Sequence, residues 1–313
     1  MTDISSSPSR IVIVGAGAMG CLFAARIAEQ GADVTVVDVD QKRLAAIAQD
    51  GITLTDDNGT RTLRVGAALA ADVAGPVDLV VLFTKGVHSA AAVRSVAHLA
   101  ADRPIALTLQ NGIGNAELLA EGFGADHVLM GTAHVPADFS GLSAVATHGF
   151  GHLDLGGFTP AAQAYAPGVA ALLQAAGFDS HVASDANVAV WQKVAFNAAL
   201  NATGMICQVP NAGVDNEPGR RIAVRVVEET VAVAAAAGIR IDRDHIVATV
   251  DQALREHAHH KASMLQDREH GRATEIETIN GAIAREGARL GVATPVCETL
   301  ADLVRMIELA AKR

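Results

Sequence analysis

The stretch Arg10-Ile11-Val12-Ile13-Val14-Gly15-Ala16-Gly17-Ala18-Met19-Gly20 decides the fold. A β-branched run, Ile11 to Val14, enters a glycine-rich turn; a helical pattern then runs to Gly31, and a second run follows at Val34 to Val37. A lone GxGxxG means little, but strand, turn, helix and strand in that order point to a dinucleotide phosphate site. Gly15 permits the tight turn, Gly17 lets the backbone approach a pyrophosphate, and Gly20 lets helix and strand pack closely. The helix start at Ala18 and Met19 turns its N–H groups toward the phosphates. The bland alternative is a glycine-rich turn that holds no ligand.

The second strand ends at Asp38, 18 residues after Gly20. A carboxylate there accepts hydrogen bonds from both adenosine ribose hydroxyls and repels a 2'-phosphate, which favours NAD(H). Two readings compete with this. Asp38 caps the helix containing Lys42 to Ile47, or Lys42 and Arg43 grip a phosphate and the coenzyme is NADP(H).

Outward from this unit, further runs at Leu79 to Phe83, Ile105 to Leu109 and Val128 to Met130 alternate with helical patterns. Alternation of this kind predicts an α/β fold with a doubly wound parallel sheet, here of Rossmann type. Ile52 to Leu54 and Thr62 to Val65, split by Asp57-Asn58-Gly59, read as an inserted hairpin, and Ala144 to Thr147 with Gly151 to Leu155 as an antiparallel edge pair. After Asp185, which is placed to cap the next helix, the pattern turns all-helical. The expected domains are therefore 1–183, dinucleotide-binding, and 184–313, helical, with the active site in the cleft between them.

Composition narrows the function. With 313 residues, 50% hydrophobic and 19% charged, the chain has ample apolar surface for two cores and is not disordered. A net charge of -10 and 3% aromatics argue against nucleic acid and anionic membranes as partners. Cys21, Cys207 and Cys297 are scattered without a CxxC pair, so no disulfide framework or zinc knuckle is indicated and a cytoplasmic setting is expected. The apolar stretch Ile11 to Ala25 is too short for a membrane span and too interrupted by glycine for a signal sequence. The Ser-rich first nine residues read as a mobile tail.

Within Trp191 to Asn201, the polar residues Lys193, Asn197 and Asn201 fall at i, i+4 and i+8, on one face of an otherwise apolar helix. A lysine in such surroundings either snorkels to water or serves as a proton donor of lowered pKa. Ser263-Met264-Leu265-Gln266 and Thr274-Glu275-Ile276-Glu277 have the pattern of capped helix starts. His257, His259 and His260 beside Glu256 raise a metal reading, which fails for want of a convincing third ligand set, so no metal is expected.

Together these residues resemble the ketopantoate reductase (2-dehydropantoate 2-reductase) family, the NAD(P)H enzymes of pantothenate synthesis. The resemblance runs from about Arg10 to Glu308 and rests on Gly15 to Gly20, Leu109-Gln110-Asn111-Gly112-Ile113-Gly114, the K-x3-N-x3-N helix, and Ser263 to Asp267 followed by Thr274 to Gly281. It implies that Lys193 is the catalytic lysine, protonating the ketone oxygen as hydride arrives, and Glu275 the active-site glutamate that holds the substrate hydroxyl. It further implies that Asn197, Asn201 and Ser263 bind substrate, Asn111 lies near the nicotinamide ribose and Lys85 near the adenosine phosphate, and the protein is a homodimer.

Departures from the family pattern bear on substrate. Ala202-Thr203-Gly204 replaces the usual Pro-Leu-Thr, and Glu277-Thr278 stands for Asp-Tyr. Val39 stands where NADP-using members carry arginine, which strengthens NAD(H). The expected activity is hydride transfer to a small 2-oxo acid, 2-dehydropantoate first. Another 2-oxo or 2-hydroxy acid, or a catalytically silent NAD-binding redox sensor, are the alternatives; intact Lys193 and Glu275 speak against silence.

Overall fold

The computed structural model describes residues 8–149 and 151–311. The chain divides into two compact units: one holds the residues up to Gln110 together with Asn115–Ala186, the other holds Asn111–Gly114 together with the residues from Asn187.

The first unit carries strands β1 (Arg10–Val14), β2 (Asp33–Val37), β3 (Ile52–Asp56), β4 (Gly59–Leu63), β5 (Gly66–Ala68), β6 (Leu79–Leu82), β7 (Ile105–Thr108), β8 (Val128–His134), β9 (Asp138–Ser140), β10 (Ala144–Ala146), β11 (His152–Gly157) and β12 (Asp179–Val182). Its helices are α1 (Ala18–Ala28), α2 (Gln41–Asp50), α3 (Gly86–Val96), α4 (Asn115–Phe123) and α5 (Ala166–Ala175). The large sheet has the order β12-β11-β8-β7-β6-β1-β2-β5. From β8 to β5 every pairing is parallel. All of β6 and four residues of β1 are buried, because helices cover both faces of a parallel sheet.

The chain walks from β1 to β2 to β5, then returns to the other flank of β1 with β6. The carboxyl ends of β1 and β6 therefore form the switch point at which doubly wound sheets bind ligands. Helix α1 is buried from Gly20 to Ile27, and Phe23 anchors it by stacking on Phe178 at 4.3 Å and tilting onto Phe83 at 4.6 Å. Burying such a ring contributes about 2 to 3 kcal/mol.

Two local expectations change, and one strand appears that the sequence did not announce. The hairpin exists as β3 and β4, but Ala144 to Thr147 does not pair with Gly151 to Leu155. Instead β10 runs parallel to β3 in a second sheet, order β4-β3-β10-β9, where Val145 is buried, while β11 pairs antiparallel with β8. The edge strand β12 has the polar sequence Asp-Ser-His-Val with only Ser180 buried, so it lacks a strand signature. Of the expected tail, the first seven residues lie outside the described residues, and Ser9 is fixed: its N–H and hydroxyl both donate to Asp78 Oδ2 at 3.0 Å.

The second unit contains α6 (Ala186–Cys207) from Asn187 onward, α7 (Asn211–Val214), α8 (Glu217–Ala236), α9 (Arg243–Glu256), α10 (Ser263–Glu269), α11 (Asn280–Leu290) and α12 (Pro295–Ala311). Helices α8, α11 and α12 pack on one another, and Glu229 of α8 caps α12 by accepting Val296 N–H and Cys297 N–H at 2.8 Å.

Candidate active site

In the first unit, Gly15 adopts φ +106°, and a Cβ there would press on the Phe83 and Thr84 backbone at 2.8 Å. A Cβ on Gly20 would run into the Gly15 carbonyl. Both glycines are thus demanded by the fold. Gly17 is different: it precedes α1 with φ -78°, and a Cβ there would meet nothing within 4 Å. Neither conformation nor packing calls for glycine at 17, so the open space it leaves at the N-terminus of α1, beside Ala18 and Met19, suits an external phosphate. By that observation the residues present fit a dinucleotide.

The Asp38 carboxylate accepts Ala16 N–H at 2.7 Å through Oδ2 and Asp40 N–H at 2.9 Å through Oδ1. It therefore fixes the glycine loop to the end of β2. The competing view of Asp38 as the cap of α2 gives way, since Asp40 does that work by accepting Lys42 N–H and Arg43 N–H. Arg43 Nη1 lies 3.9 Å from Asp38 Oδ2 and 3.9 Å separates its Nη2 from Asp40, so this guanidinium is engaged by carboxylates. Lys85 follows β6 at the switch point, half-buried, immediately before α3. Val39 is 93% exposed and offers no charge to a phosphate.

Gln110 has a structural role that the family resemblance does not assign. Its Nε2 donates to the Thr84 carbonyl and, at 3.0 Å, to Ser89 Oγ, which in turn donates to Asn115 Oδ1 at 2.9 Å. This network ties the ends of β6 and β7 together beside Lys85, and only the fold brings its members into reach.

In the second unit, α6 presents Lys193, Asn197 and Asn201 along one side over two turns. Lys193 and Asn197 are half-buried and Asn201 is buried. Loss of hydration lowers the Lys193 pKa and the Glu275 carboxylate pulls it partway back, leaving it at about 8. Asn111 donates to Glu275 Oε2 at 3.1 Å, and Ser263 Oγ donates to Asn201 Oδ1 at 3.3 Å. Lys193, Glu275 and Asn111 are thus linked, as are Asn201 and Ser263.

Two helix-start expectations are corrected here. Ser263 opens α10 without capping it, its hydroxyl being turned to Asn201. Glu275 lies in a turn and α11 begins only at Asn280. Thr274 Oγ1 accepts Ile276 N–H at 3.3 Å, while Glu308 accepts Thr274 N–H at 2.7 Å. Glu277 is drawn away by Arg305 and Arg285, so no capping box forms.

The turn is held from two sides. Thr278 C=O accepts Ile113 N–H at 2.9 Å, and Gly112, at φ +97°, lies so close to Thr278 that a Cβ would collide with its carbonyl. Asn280, fully buried and given no role by the sequence, donates from Nδ2 to the Ala198 carbonyl at 3.1 Å. It thereby pins the Glu275 turn to α6 between Asn197 and Asn201. The residue type and the flanking Ile-Asn-Gly gave a hint, but its partner lies 82 positions away.

An ammonium of lowered pKa, a carboxylate coupled to it and fixed carboxamide and hydroxyl groups can deliver a proton to a carbonyl oxygen and bind a carboxylate. Comparisons with known proteins agree on the kinship. The family described as ketopantoate reductase PanE/ApbA matches residues 11–160, and its C-terminal domain matches residues 185–308. A 2-dehydropantoate 2-reductase of Halobacterium salinarum is 34% identical over 301 residues, covering 96% of this chain and 99% of the relative. A 2-dehydropantoate 2-reductase of Geobacter metallireducens has a crystal structure with TM-score 0.85 at 32% identity, covering 95% of this chain and 99% of its own. D-mandelate dehydrogenase in a ternary structure with NADH and anilino(oxo)acetate has TM-score 0.91 at 27% identity, covering 97% of this chain and all of its own. The chain belongs to the ketopantoate reductase family.

Proposed function

We propose that the protein is a nicotinamide-dependent reductase of 2-oxo acids, with 2-dehydropantoate as first substrate and NAD(H) as preferred coenzyme. The observation that carries the reading is Lys193, brought to a pKa of about 8 beside Glu275 on a helix that also presents Asn197 and Asn201. When bound, the coenzyme supplies or accepts the hydride. Lys193, mostly protonated at neutral pH, gives its proton to the ketone oxygen and stabilises the negative charge that develops there. In the opposite direction the neutral amine takes the proton back. Asn197, Asn201 and Ser263 orient the substrate without adding a second cation, and Glu275, steadied by Asn111, receives a substrate hydroxyl and keeps the ammonium in place.

Asp38 supports NAD(H): it sits on the glycine loop, and Val39 supplies no cation for a 2'-phosphate. A second substrate reading rests on the likeness to D-mandelate dehydrogenase together with Thr278 and Ala202-Thr203-Gly204, which stand where the resemblance leads one to expect a tyrosine and Pro-Leu-Thr. Smaller side chains leave room for a substrate with an aromatic group, and each methylene-sized group that fills such room is worth about 1 to 3 kcal/mol. The experiment follows NADH absorbance with a panel of 2-oxo acids that includes 2-dehydropantoate and phenylglyoxylate. Turnover of 2-dehydropantoate above all others supports the first reading, preference for phenylglyoxylate the second, and absence of turnover with every acid defeats both.

A further inference from the structure

The edge of the large sheet carries a cluster that the reductase chemistry does not use. On β11, His152 and Asp154 are two residues apart and so share a face; on β12, Asp179 and His181 do the same. Register aligns them, with His152 opposite Asp179 and Asp154 opposite His181. Neighbouring residues of a parallel pair point to the same face, so two imidazoles and two carboxylates form a rectangle across the outermost strand pair. His134, opposite His152 on β8, brings a third ring to 6.4 Å. One donor atom from each of His152, Asp179 and His181 lies within 4.8 Å of the others.

The contacts have a direction. His152 Nδ1 is 3.0 Å from Asp179 Oδ2, and His181 Nε2 is 2.7 Å from Asp179 Oδ1, so Asp179 sits between two ring nitrogens. The other nitrogen of His152, Nε2, is 3.0 Å from Asp154 Oδ2. A carboxylate behind a ligating histidine fixes the ring and leaves the opposite nitrogen to the metal. Bonds of about 2.0 to 2.1 Å in a tetrahedron put ligand atoms roughly 3.3 Å apart, which half-exposed side chains reach by small rotations.

We propose that His152, Asp179 and His181 bind Zn2+ across β11 and β12, with Asp154 as the outer carboxylate on His152 and water in the fourth position. The ion clips the edge strand β12 to the sheet. Two imidazoles and one carboxylate are a nitrogen and oxygen donor set suited to Zn2+ rather than to Mg2+ or Ca2+. His257, His259, His260 and the exposed Cys207 are the competing zinc ligands that the experiment separates.

The test titrates Zn2+ into the chelator-treated full chain by calorimetry, with thermal melting in parallel. One Zn2+ per chain is expected, together with a rise in Tm when Zn2+ is present in excess of its Kd. His152→Gln and His181→Gln should each weaken the event by about 100-fold or more, and Asp154→Asn by about 10-fold, as an outer carboxylate does. Cys207→Ser and the triple variant His257→Gln, His259→Gln, His260→Gln should bind as the parent does. The side chains replaced at 152 and 181 are about half exposed, and circular dichroism of the variants verifies their fold. Absence of Zn2+ binding by the parent, survival of the event in the doubly substituted His152→Gln, His181→Gln chain, or its loss in either control overturns the proposal.

Discussion

Replacing Lys193 with Met separates catalysis from stability. Burial, net of the opposing pull of Glu275, brings the Lys193 pKa from 10.5 to about 8, and at about 1.4 kcal/mol for each tenfold change in proton affinity this is a folding cost of about 3 kcal/mol. The cost applies in full below pH 8, where the lysine is protonated in the folded and unfolded chains alike. Between about pH 8 and 10.5 the unfolded chain binds more protons than the folded one, so parent stability rises with pH and the cost fades. Methionine has similar length and no charge, so Lys193→Met should be more stable than the parent at pH 7. The attraction to Glu275 is already contained in that net cost, and imperfect packing of the methionine trims the gain to about 1 to 3 kcal/mol, a few degrees in Tm. Thermal unfolding at pH 7 and again near pH 10 reads the effect, and the gap should shrink at the higher pH. Turnover of a 2-oxo acid should drop by about 100- to 10,000-fold, as for loss of a general acid, while NADH binding stays within a few-fold. A variant less stable than the parent at pH 7, or a gap indifferent to pH, would show that the ammonium keeps its water and that the lysine is structural.

Further outcomes follow from the same geometry. Reduction should fall as pH rises through about 8 and oxidation of the 2-hydroxy acid should rise over the same range, because the acid form of Lys193 serves one direction and the base form the other; identical profiles for both directions would remove Lys193 as the titrating group. Gly17→Ala should cost the free protein under about 1 kcal/mol yet weaken NADH binding at least tenfold, whereas Gly20→Ala should lower the Tm of the free protein because its Cβ meets the Gly15 carbonyl. Asp38→Ala should erode preference for NADH over NADPH and also loosen the glycine loop through loss of the Ala16 bond, so a parent that prefers NADPH in titrations refutes the assignment. Glu275→Gln should lower activity more for a 2-oxo acid bearing a hydroxyl than for one without, and equal losses would assign Glu275 to tuning Lys193 instead.

The central parallel strands β1, β2, β6, β7 and β8 were legible because each is built on a short apolar run, mostly β-branched or leucine, and burial on both faces forces that composition. Where burial is one-sided or slight the signal fails. β12 buries only Ser180, so nothing in Asp-Ser-His-Val marks it as a strand; what places it is pairing with β11. Ala144 to Ala146 and His152 to Gly157 lie close together in sequence and enter different sheets, since pairing partners are chosen by packing at a distance. The capping patterns at Ser263 and Thr274 misled for a related reason. A hydroxyl or a carboxylate suited to a helix start serves equally well elsewhere, and Asn201, Glu308 and Arg305 compete for those groups.

The candidate site divides along the same line. The face of α6 is a local matter, since a spacing of four residues places Lys193, Asn197 and Asn201 side by side in any helix. The bonds that give those residues their chemistry are not local. Asn111 reaches Glu275 across 164 positions, Ser263 reaches Asn201 across 62, and Asn280 reaches the Ala198 carbonyl across 82. The loop Asn111–Gly114 follows β7, a strand of the sheet unit, yet packs with the helices, and two constraints hold it there: the bond from Ile113 to Thr278 and a glycine at 112 that admits no side chain. Glu275 is therefore positioned by a turn that depends on Gly112, and the proton affinity of Lys193 depends on Glu275. Gly112→Ala should then disturb Lys193 without touching it: the added methyl displaces Thr278, the Glu275 turn shifts, and the pull that holds the lysine pKa up at about 8 weakens. The pH at which reduction declines should fall below that of the parent, and an unchanged midpoint with lowered activity would mean that Gly112 supports the fold of the turn but not the proton affinity of the lysine.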